Sequence, residues 1–379
     1  MTLDFIIYKY FPFGGQQRDF FRIAEQCVER GHTIRVYTLS WEGPKIEGME
    51  LTLVPVNAFS RHKLYERFNN WVQAELARKS AQNIIGFNKI PGLKIYYAAD
   101  PCFEEKAVNQ RAFYYKLSAR YKHFSAFETA VFNEDSNTEV LLLSPQQKRD
   151  FIKHYPRCGR RLHLVPPGIT DDRKFPENAE QIRTEFRKDF SFDDNKLVIL
   201  QVGSGFRIKG VDRSLRAIAA LPEFIRSRVE YILVGKDKPG KYLKLAKKLG
   251  ITEQVTIFRG RDDVPRFLLG SDLLLHPAYS ESAGYVLLEA TIAGLPVLTT
   301  ASCGYAFHIE EAESGEVCVE PYKQSDLNSR LQSMLKGLSD SKWSANGVRY
   351  GKEKDLYSLP SKAVDYIEKF CSQTAGTSQ

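Results

Sequence analysis

The run from Asp272 to Thr300 constrains the fold of this chain more than any other stretch. Asp272 to His276 is a brief apolar segment with no helical period, which reads as a covered parallel strand. Pro277 and Ser280 interrupt it. From about Gly284 onward, Val286, Leu287, Ala290 and Ala293 share one face of a helix. Gly294-Leu295-Pro296 ends that helix, and Val297 to Thr300 is a second strand.

Such a strand-loop-helix unit aims free backbone N–H groups and the positive end of a helix at whatever occupies the loop. Phosphate is the usual guest. Here two carboxylates, Glu281 and Glu289, flank the loop. A carboxylate beside a phosphate is repelled, so each needs another partner. Vicinal sugar hydroxyls suit, because a charged acceptor makes the stronger hydrogen bonds. Amides for phosphate and two carboxylates for hydroxyls describe a nucleotide-sugar site, with Glu289 on the ribose and Glu281 on the transferred sugar. Taken alone, the two glutamates read more simply as a surface residue and a helix N-terminal residue that favours the dipole. The pattern around them, Glu281-x7-Glu289 followed by Ala290-x3-Gly294-x-Pro296-Val297, reverses that preference.

A chain of 379 residues divides into two domains, each with its own core. The net charge of +8 points to an anionic partner. The six cysteines are scattered without a Cys-x-x-Cys pair, so no disulfide framework or zinc site is expected. The histidines show no metal-ligand spacing and no Asp-x-Asp occurs, so no metal and no cofactor is expected. The start, Thr2 to Tyr10, carries Lys9 and is too short for a signal peptide. No run approaches the roughly 18 apolar residues of a membrane span. A cytoplasmic protein that touches a membrane surface is the expectation.

Leu3 to Tyr8, a loop Phe11-Pro12-Phe13-Gly14-Gly15, a helix Gln16 to Arg30 and a strand Thr33 to Leu39 make a Rossmann-like opening without Gly-x-Gly-x-x-Gly. Gly14 and Gly15 let the backbone approach a ligand. Asp19 is placed in the first helical turn, either for the dipole or for the site. Short strands follow at Leu51 to Val56, Asn83 to Phe87 and Leu93 to Ala98. The last delivers Asp100 to a strand's carboxyl end, where ligands of open sheets sit; an N-cap is its plainer role. Phe103 to Phe132 interleaves aromatics with Lys106, Arg111, Lys116, Arg120 and Lys122. That pattern fits a segment lying on an anionic membrane. It fits equally an amphipathic helix with core aromatics and solvated bases. After strands at Val140 to Ser144 and Leu162 to Ile169, Pro166-Pro167-Gly168 reads as the interdomain linker, with Arg173 close behind it.

In the second half, a strand Lys196 to Val202 runs into Gly203-Ser204-Gly205-Phe206-Arg207-Ile208-Lys209-Gly210 and a helix from about Val211. The glycines permit close approach, and Arg207 and Lys209 bring charge to a phosphate. Asp262 and Asp263 read as helix N-caps. Pro360 breaks the chain before a final helix, Lys362 to Phe370, and 374–379 is a frayed tail.

The pattern Glu281-x7-Glu289, with Ala290-x3-Gly294-x-Pro296-Val297, resembles the nucleotide-sugar motif of the retaining GT-B glycosyltransferases, glycosyltransferase family four. Patches at Tyr8 to Phe20, Trp41-Glu42-Gly43, Gly86 to Leu93, Lys209 to Ser214, Leu273 to Tyr279 and Asp355 to Pro360 are similar to the branch of that family that builds the lipopolysaccharide core. The resemblance implies an α/β GT-B fold: two Rossmann-like domains facing across a cleft, residues 1–168 for the acceptor and 169–356 for the donor, with 357–379 crossing back as a terminal helix. It implies a retaining transfer of glucose from UDP-glucose to a heptose of the inner core, at the cytoplasmic face of the inner membrane. Lys209 and the amides of Ala283, Gly284 and Tyr285 would hold the diphosphate. Arg207 stands in for the arginine the family carries where Ser204 lies here. Gly15 would close on the diphosphate, and Arg261 and Asp262 would lie at the base. Cys303-Gly304-Tyr305 resembles the family's turn near the donor. Asp19 and Asp100 would face the acceptor or the reacting sugar, and no nucleic acid is involved. Alternatives are another UDP-hexose or UDP-hexosamine donor, a GT-B sugar-nucleotide epimerase, a nicotinamide enzyme and a non-enzymatic lipid or nucleic-acid binder.

Overall fold

The computed structural model describes residues 1–12, 14–339 and 342–372, with Gln110 described by its backbone alone. Phe13 of the glycine loop and the tail at 374–379 lie outside the described residues. The chain forms two compact units, Met1–Gly168 with Ser358–Gln379, and Ile169–Tyr357.

The first unit is a seven-stranded, wholly parallel sheet: β1 (Thr2–Ile6), β2 (Thr33–Thr38), β3 (Glu50–Leu53), β4 (Ile84–Gly86), β5 (Ile95–Ala98), β6 (Glu139–Leu142) and β7 (Leu162–Leu164). Their order is β3-β2-β1-β4-β5-β6-β7. A parallel sheet is covered on both faces, so its central strands are apolar throughout. Asp4 breaks that pattern inside β1. It is buried and paired in register with Arg35 on β2, whose Nε and Nη2 donate to it at 2.8 and 2.6 Å. A charge pairing of this kind offsets the desolvation that an isolated buried carboxylate would suffer.

The last helix, Leu359–Ser372, belongs to this unit and packs against helix Gly15–Glu29. Leu359, Val364 and Ile367 are buried, and Arg30 reaches both Asp365 and Glu368 at 2.9 Å. It starts three residues earlier than the sequence suggests. Pro360 is its second residue, where a missing N–H costs nothing.

The second unit is a six-stranded parallel sheet: β8 (Leu197–Val202), β9 (Val229–Val234), β10 (Val255–Phe258), β11 (Leu273–His276), β12 (Val297–Thr300) and β13 (Gly315–Cys318). Their order is β10-β9-β8-β11-β12-β13, so both units are doubly wound.

The stretch Phe103 to Phe132 is three pieces, not one: helix Phe103–Gln110, a 3₁₀ turn Phe113–Leu117 and helix Ala119–Phe132. Ser118 caps the last by accepting from the Tyr121 N–H at 3.1 Å. The aromatic residues of the stretch divide between core and surface. Phe132 is fully buried in the core, whereas Phe113, Tyr114 and Leu117 of the turn are 87%, 65% and 77% exposed.

Candidate active site in the second unit

In the second sheet the strand order reverses between β8 and β11. Ligands of open α/β sheets bind outside the carboxyl ends of the strands at such a reversal. The loops that leave β8 and β11 there are residues 203–210 and 277–284.

The first loop needs its glycines. Gly203, Gly205 and Gly210 have φ of 137°, 80° and 71°. A Cβ on Gly210 would stand 2.0 Å from the Pro277 carbonyl oxygen, so the two loops meet backbone to backbone. The loop is held at several points. The Phe206 N–H donates to the Asp237 carboxylate at 2.7 Å, and the Lys236 N–H donates to Ser204 Oγ at 3.1 Å. Gln201 Nε2 donates to the Lys209 carbonyl, and the Tyr279 N–H to the Ile208 carbonyl, both at 2.7 Å.

Where the loops meet, the Lys209 ammonium donates to one oxygen of Glu281 and His276 Nε2 lies 2.7 Å from the other. His276 is fully buried, and the Lys209 and Glu281 side chains are 19% and 16% exposed. Burial would push the Glu281 carboxyl up, but Lys209 and His276 together hold it down to about 2. Glu281 is therefore a fixed, ionised acceptor at neutral pH. Its backbone is tied to the turn after β12: its N–H donates to the Ser302 carbonyl at 3.1 Å, and the Gly304 N–H donates to its carbonyl at 2.9 Å. The Tyr305 N–H donates to the Ala283 carbonyl at 2.7 Å. Gly284, at φ 104°, then turns the chain into helix Tyr285–Ile292. Glu289 sits in that helix, buried to 7% exposure.

His276, Glu281 and Cys303 place ligand atoms within 4.8 Å of one another. This is a possible set for a soft cation, but the Lys209 ammonium already sits on Glu281. Burial also pushes the Cys303 thiol up to about 12, away from the thiolate a metal requires.

Two supports of this site were not anticipated from sequence. His276 reads as the last residue of an apolar strand, and only its position five residues before Glu281 hints at the contact. Arg213, in helix Val211–Ala219, is sandwiched between the Tyr279 and Tyr322 rings at 3.6 Å each and donates to the Pro277 and Ala278 carbonyls at 3.3 and 3.1 Å. A guanidinium between two ring faces is a strong positioning element for the loop below it.

The remaining expected residues scatter. Arg207 is exposed on the same loop as Lys209. Arg261 is tied to Asp263 at 2.6 and 2.7 Å and lies over the Phe258 and Phe267 rings. Asp263 occupies the N-cap position of helix Val264–Gly270 without a capping hydrogen bond, its carboxylate being used by Arg261. Asp262 and Arg173 line a separate cavity of about 410 Å³ that neither Lys209 nor Glu281 borders.

In the first unit, Gly15 opens helix Gly15–Glu29. Asp19 is not in the first turn of that helix; it is buried one turn in and accepts from the Tyr97 hydroxyl at 2.6 Å. Asp100 is exposed and does not cap the next helix. That role falls to Glu128, which accepts from the Phe103 and Glu104 N–H groups at 2.6 and 2.9 Å and pairs with Lys89. Asp100 instead lines a cavity with Lys106, Arg111 and Arg120, three of the five cations expected at a membrane; Lys116 and Lys122 are exposed.

Comparison with known proteins agrees with this architecture. The family model for glycosyl transferases group 1 matches residues 182–350. The lipopolysaccharide glucosyltransferase WaaG of Escherichia coli (strain K12) is 47% identical over 97% of this chain and 98% of its own. The crystal structure of WaaG, a glycosyltransferase involved in lipopolysaccharide biosynthesis, superposes with a TM-score of 0.90 at 46% identity, covering 97% of this chain and 99% of that one. Anabaena HepE in complex with UDP and glucose shares the fold, with a TM-score of 0.72 at 16% identity over 97% of this chain and all of that one. With two doubly wound sheets, glycine-built loops at the β8/β11 reversal and a full-length relative at this identity, the chain belongs to the group 1 glycosyl transferases and is a GT-B glycosyltransferase.

Proposed function

We propose that this enzyme transfers glucose from UDP-glucose to a heptose of the lipopolysaccharide inner core, with retention, at the cytoplasmic face of the inner membrane. The observation that carries the reading is the fixed Lys209–Glu281–His276 cluster at the β8/β11 reversal, in a chain nearly half identical to a lipopolysaccharide glucosyltransferase. In this reading Lys209, Arg207 and the amides of Ala283, Gly284 and Tyr285 take the diphosphate, and Glu289 takes the ribose hydroxyls. As the glycosidic bond to phosphate breaks, negative charge grows on the leaving UDP. A lysine already positioned there stabilises it without reorganisation. When the diphosphate draws Lys209 away, Glu281 is left ionised and free to accept from sugar hydroxyls. No metal is required, because side-chain cations meet the leaving charge. A donor phosphate oxygen takes the acceptor's proton on the same face, so no covalent sugar intermediate on the protein is assigned. The exposed Phe113, Tyr114 and Leu117, beside Lys116 and Lys122, support an anionic membrane contact. No helix among the described residues is long and apolar enough to cross a membrane.

A donor screen tests the reading. UDP-glucose, UDP-galactose, UDP-N-acetylglucosamine and UDP-N-acetylgalactosamine are each incubated with and without heptose-terminated core lipid. Acceptor-dependent UDP release from UDP-glucose is expected. Release from another donor overturns the glucose assignment, and release without acceptor overturns the transfer.

A further inference from the structure

The first sheet has its own reversal, between β1 and β4. A cavity of about 310 Å³ lies at that place, lined by residues that follow β1 (Tyr8), β4 (Lys89) and β5 (Asp100), and roofed by the segment after Cys102. Its volume is at the lower end of small-ligand sites, about 300–1,000 Å³.

The lining is unusual in its charge. Arg61, Lys106, Arg111 and Arg120 all border the cavity, and Asp100 is the one carboxylate that does so. Among the described residues, none of the four cations makes an ion pair. Lys89 also lines the cavity, but Glu128 holds it. Arg111 and Arg120 instead lie over the Tyr115 and Phe124 rings at 5.5 and 5.6 Å. Lys106 is half-buried, and burial, Arg111, Lys89 and Arg120 all disfavour its charge. Arg61, Arg111 and Arg120 are exposed at the edge of the cavity, and all four cations converge on it.

A second observation is independent of charge. Tyr8 is 8% exposed and lines the same cavity, and its hydroxyl has no hydrogen-bond partner. Buried polar groups are nearly always paired, so an orphaned donor at a cavity wall marks where a ligand's acceptor belongs. The wall is also firm. Tyr8 stacks on Tyr65 with centroids 3.7 Å apart, and Glu128 anchors the start of helix Phe103–Gln110.

We propose that this cavity is an acceptor subsite for an acidic sugar, one carrying a phosphate or carboxylate group. The anion would sit among Arg61, Lys106, Arg111 and Arg120 and take the Tyr8 hydroxyl. Asp100 would accept from the sugar's own hydroxyls. That carboxylate is what argues against a bare phosphate or a phospholipid headgroup, which it would repel. The inference rests on the transferase reading for the nature of the acceptor, and it places specificity for the acceptor's charge in the first unit.

The test is calorimetric titration of the full chain without donor, so that it does not depend on turnover. The probes are de-acylated inner-core oligosaccharide and the same oligosaccharide with phosphates removed and carboxylates reduced. Wild type should bind the acidic form at least about tenfold more tightly, the loss of one charge-assisted contact. Arg61→Ala with Arg120→Ala should erase that difference, while Tyr8→Phe, which keeps the ring, should weaken the acidic form a few-fold and leave the neutral form unchanged. Thermal melting checks the fold of each variant. Equal affinity of wild type for the two oligosaccharides overturns the proposal. So does a double variant that loses only flotation with phosphatidylglycerol vesicles and keeps oligosaccharide binding, which would assign the cations to a headgroup. Failure of the transferase reading shows separately, as no donor turnover in an enzyme that still discriminates the two oligosaccharides.

Discussion

Removing the Lys209 ammonium should separate two jobs that it performs. In the unliganded enzyme it neutralises Glu281, whose carboxyl is held at about 2 against an ordinary 4.5. At about 1.36 kcal/mol per tenfold change in acidity, that depression corresponds to about 3 kcal/mol. Slight exposure of the pair makes this an upper figure. The sign follows from linkage: a carboxyl depressed in the folded state contributes stability above pH 4.5 and loses it as pH falls from 4.5 toward 2. Lys209→Met leaves Glu281 with His276 alone in a buried setting, so its pKa rises and the variant should lose about 2–3 kcal/mol at pH 7. Lys209→Met with Glu281→Gln removes the uncompensated charge and should recover most of that loss. Turnover should not recover. A fixed donor at a developing oxyanion is worth about 10²–10³ in kcat, and the double variant has none there. Urea titrations at several pH values read the first effect, and UDP release at saturating donor reads the second. Wild-type turnover in Lys209→Met would refute the catalytic assignment. A single variant that costs under about 0.5 kcal/mol, or a double variant that recovers no stability, would refute the ion-pair argument.

Two further predictions concern the frame of the site. Gly210→Ala puts a Cβ 2.0 Å from the Pro277 carbonyl at φ 71°, so both loops must shift. A stability loss above about 2 kcal/mol with weakened UDP binding is expected by denaturation and calorimetry, and an unchanged melting curve would sink the close-approach argument. Burial holds the His308 imidazole down to about 4, with Glu311 opposing and Lys354 adding to the effect. The unfolded chain then binds the extra proton between pH 6.5 and 4, so this group removes up to about 3 kcal/mol as pH falls through that window. His308→Gln should flatten this part of the stability profile relative to wild type, leaving the portion below pH 4.5 that belongs to Glu281. An identical slope in both proteins between pH 5 and 6.5 would show that His308 titrates normally.

What the sequence made legible follows from how far each signal travels along the chain. The alternation of apolar runs with helical faces is local, and it places the strands of the first sheet and β8, β11 and β12 of the second to within about five residues, while β13 at Gly315–Cys318 went unread. The glycines of the β8 loop and the Glu281/Glu289 pair are also local, so the candidate site at the β8/β11 reversal was readable before any packing was known. Strand order is not local: nothing in β1 says that β4 lies beside it, and the first sheet's reversal was therefore invisible. The same limit explains the errors. Asp100 precedes a helix and looked like its cap, but the cap is Glu128, twenty-odd residues later on the helix packed alongside. Nothing near Arg213 in the chain points to Tyr279 and Tyr322, whose rings close on it from distant segments. The basic aromatic stretch shows the limit most clearly. As a string its cations have one meaning, attraction to an anionic surface. Folded, the chain breaks after Gln110 and turns back at Ser118. This division sets Lys106 and the exposed Arg111 and Arg120 along a cavity, leaves Lys116 and Lys122 outside it, and exposes Phe113, Tyr114 and Leu117. A charge count treats the five alike, whereas the fold gives them two different surroundings. Substitutions at Lys116 and at Arg120 should therefore separate membrane contact from acceptor recognition.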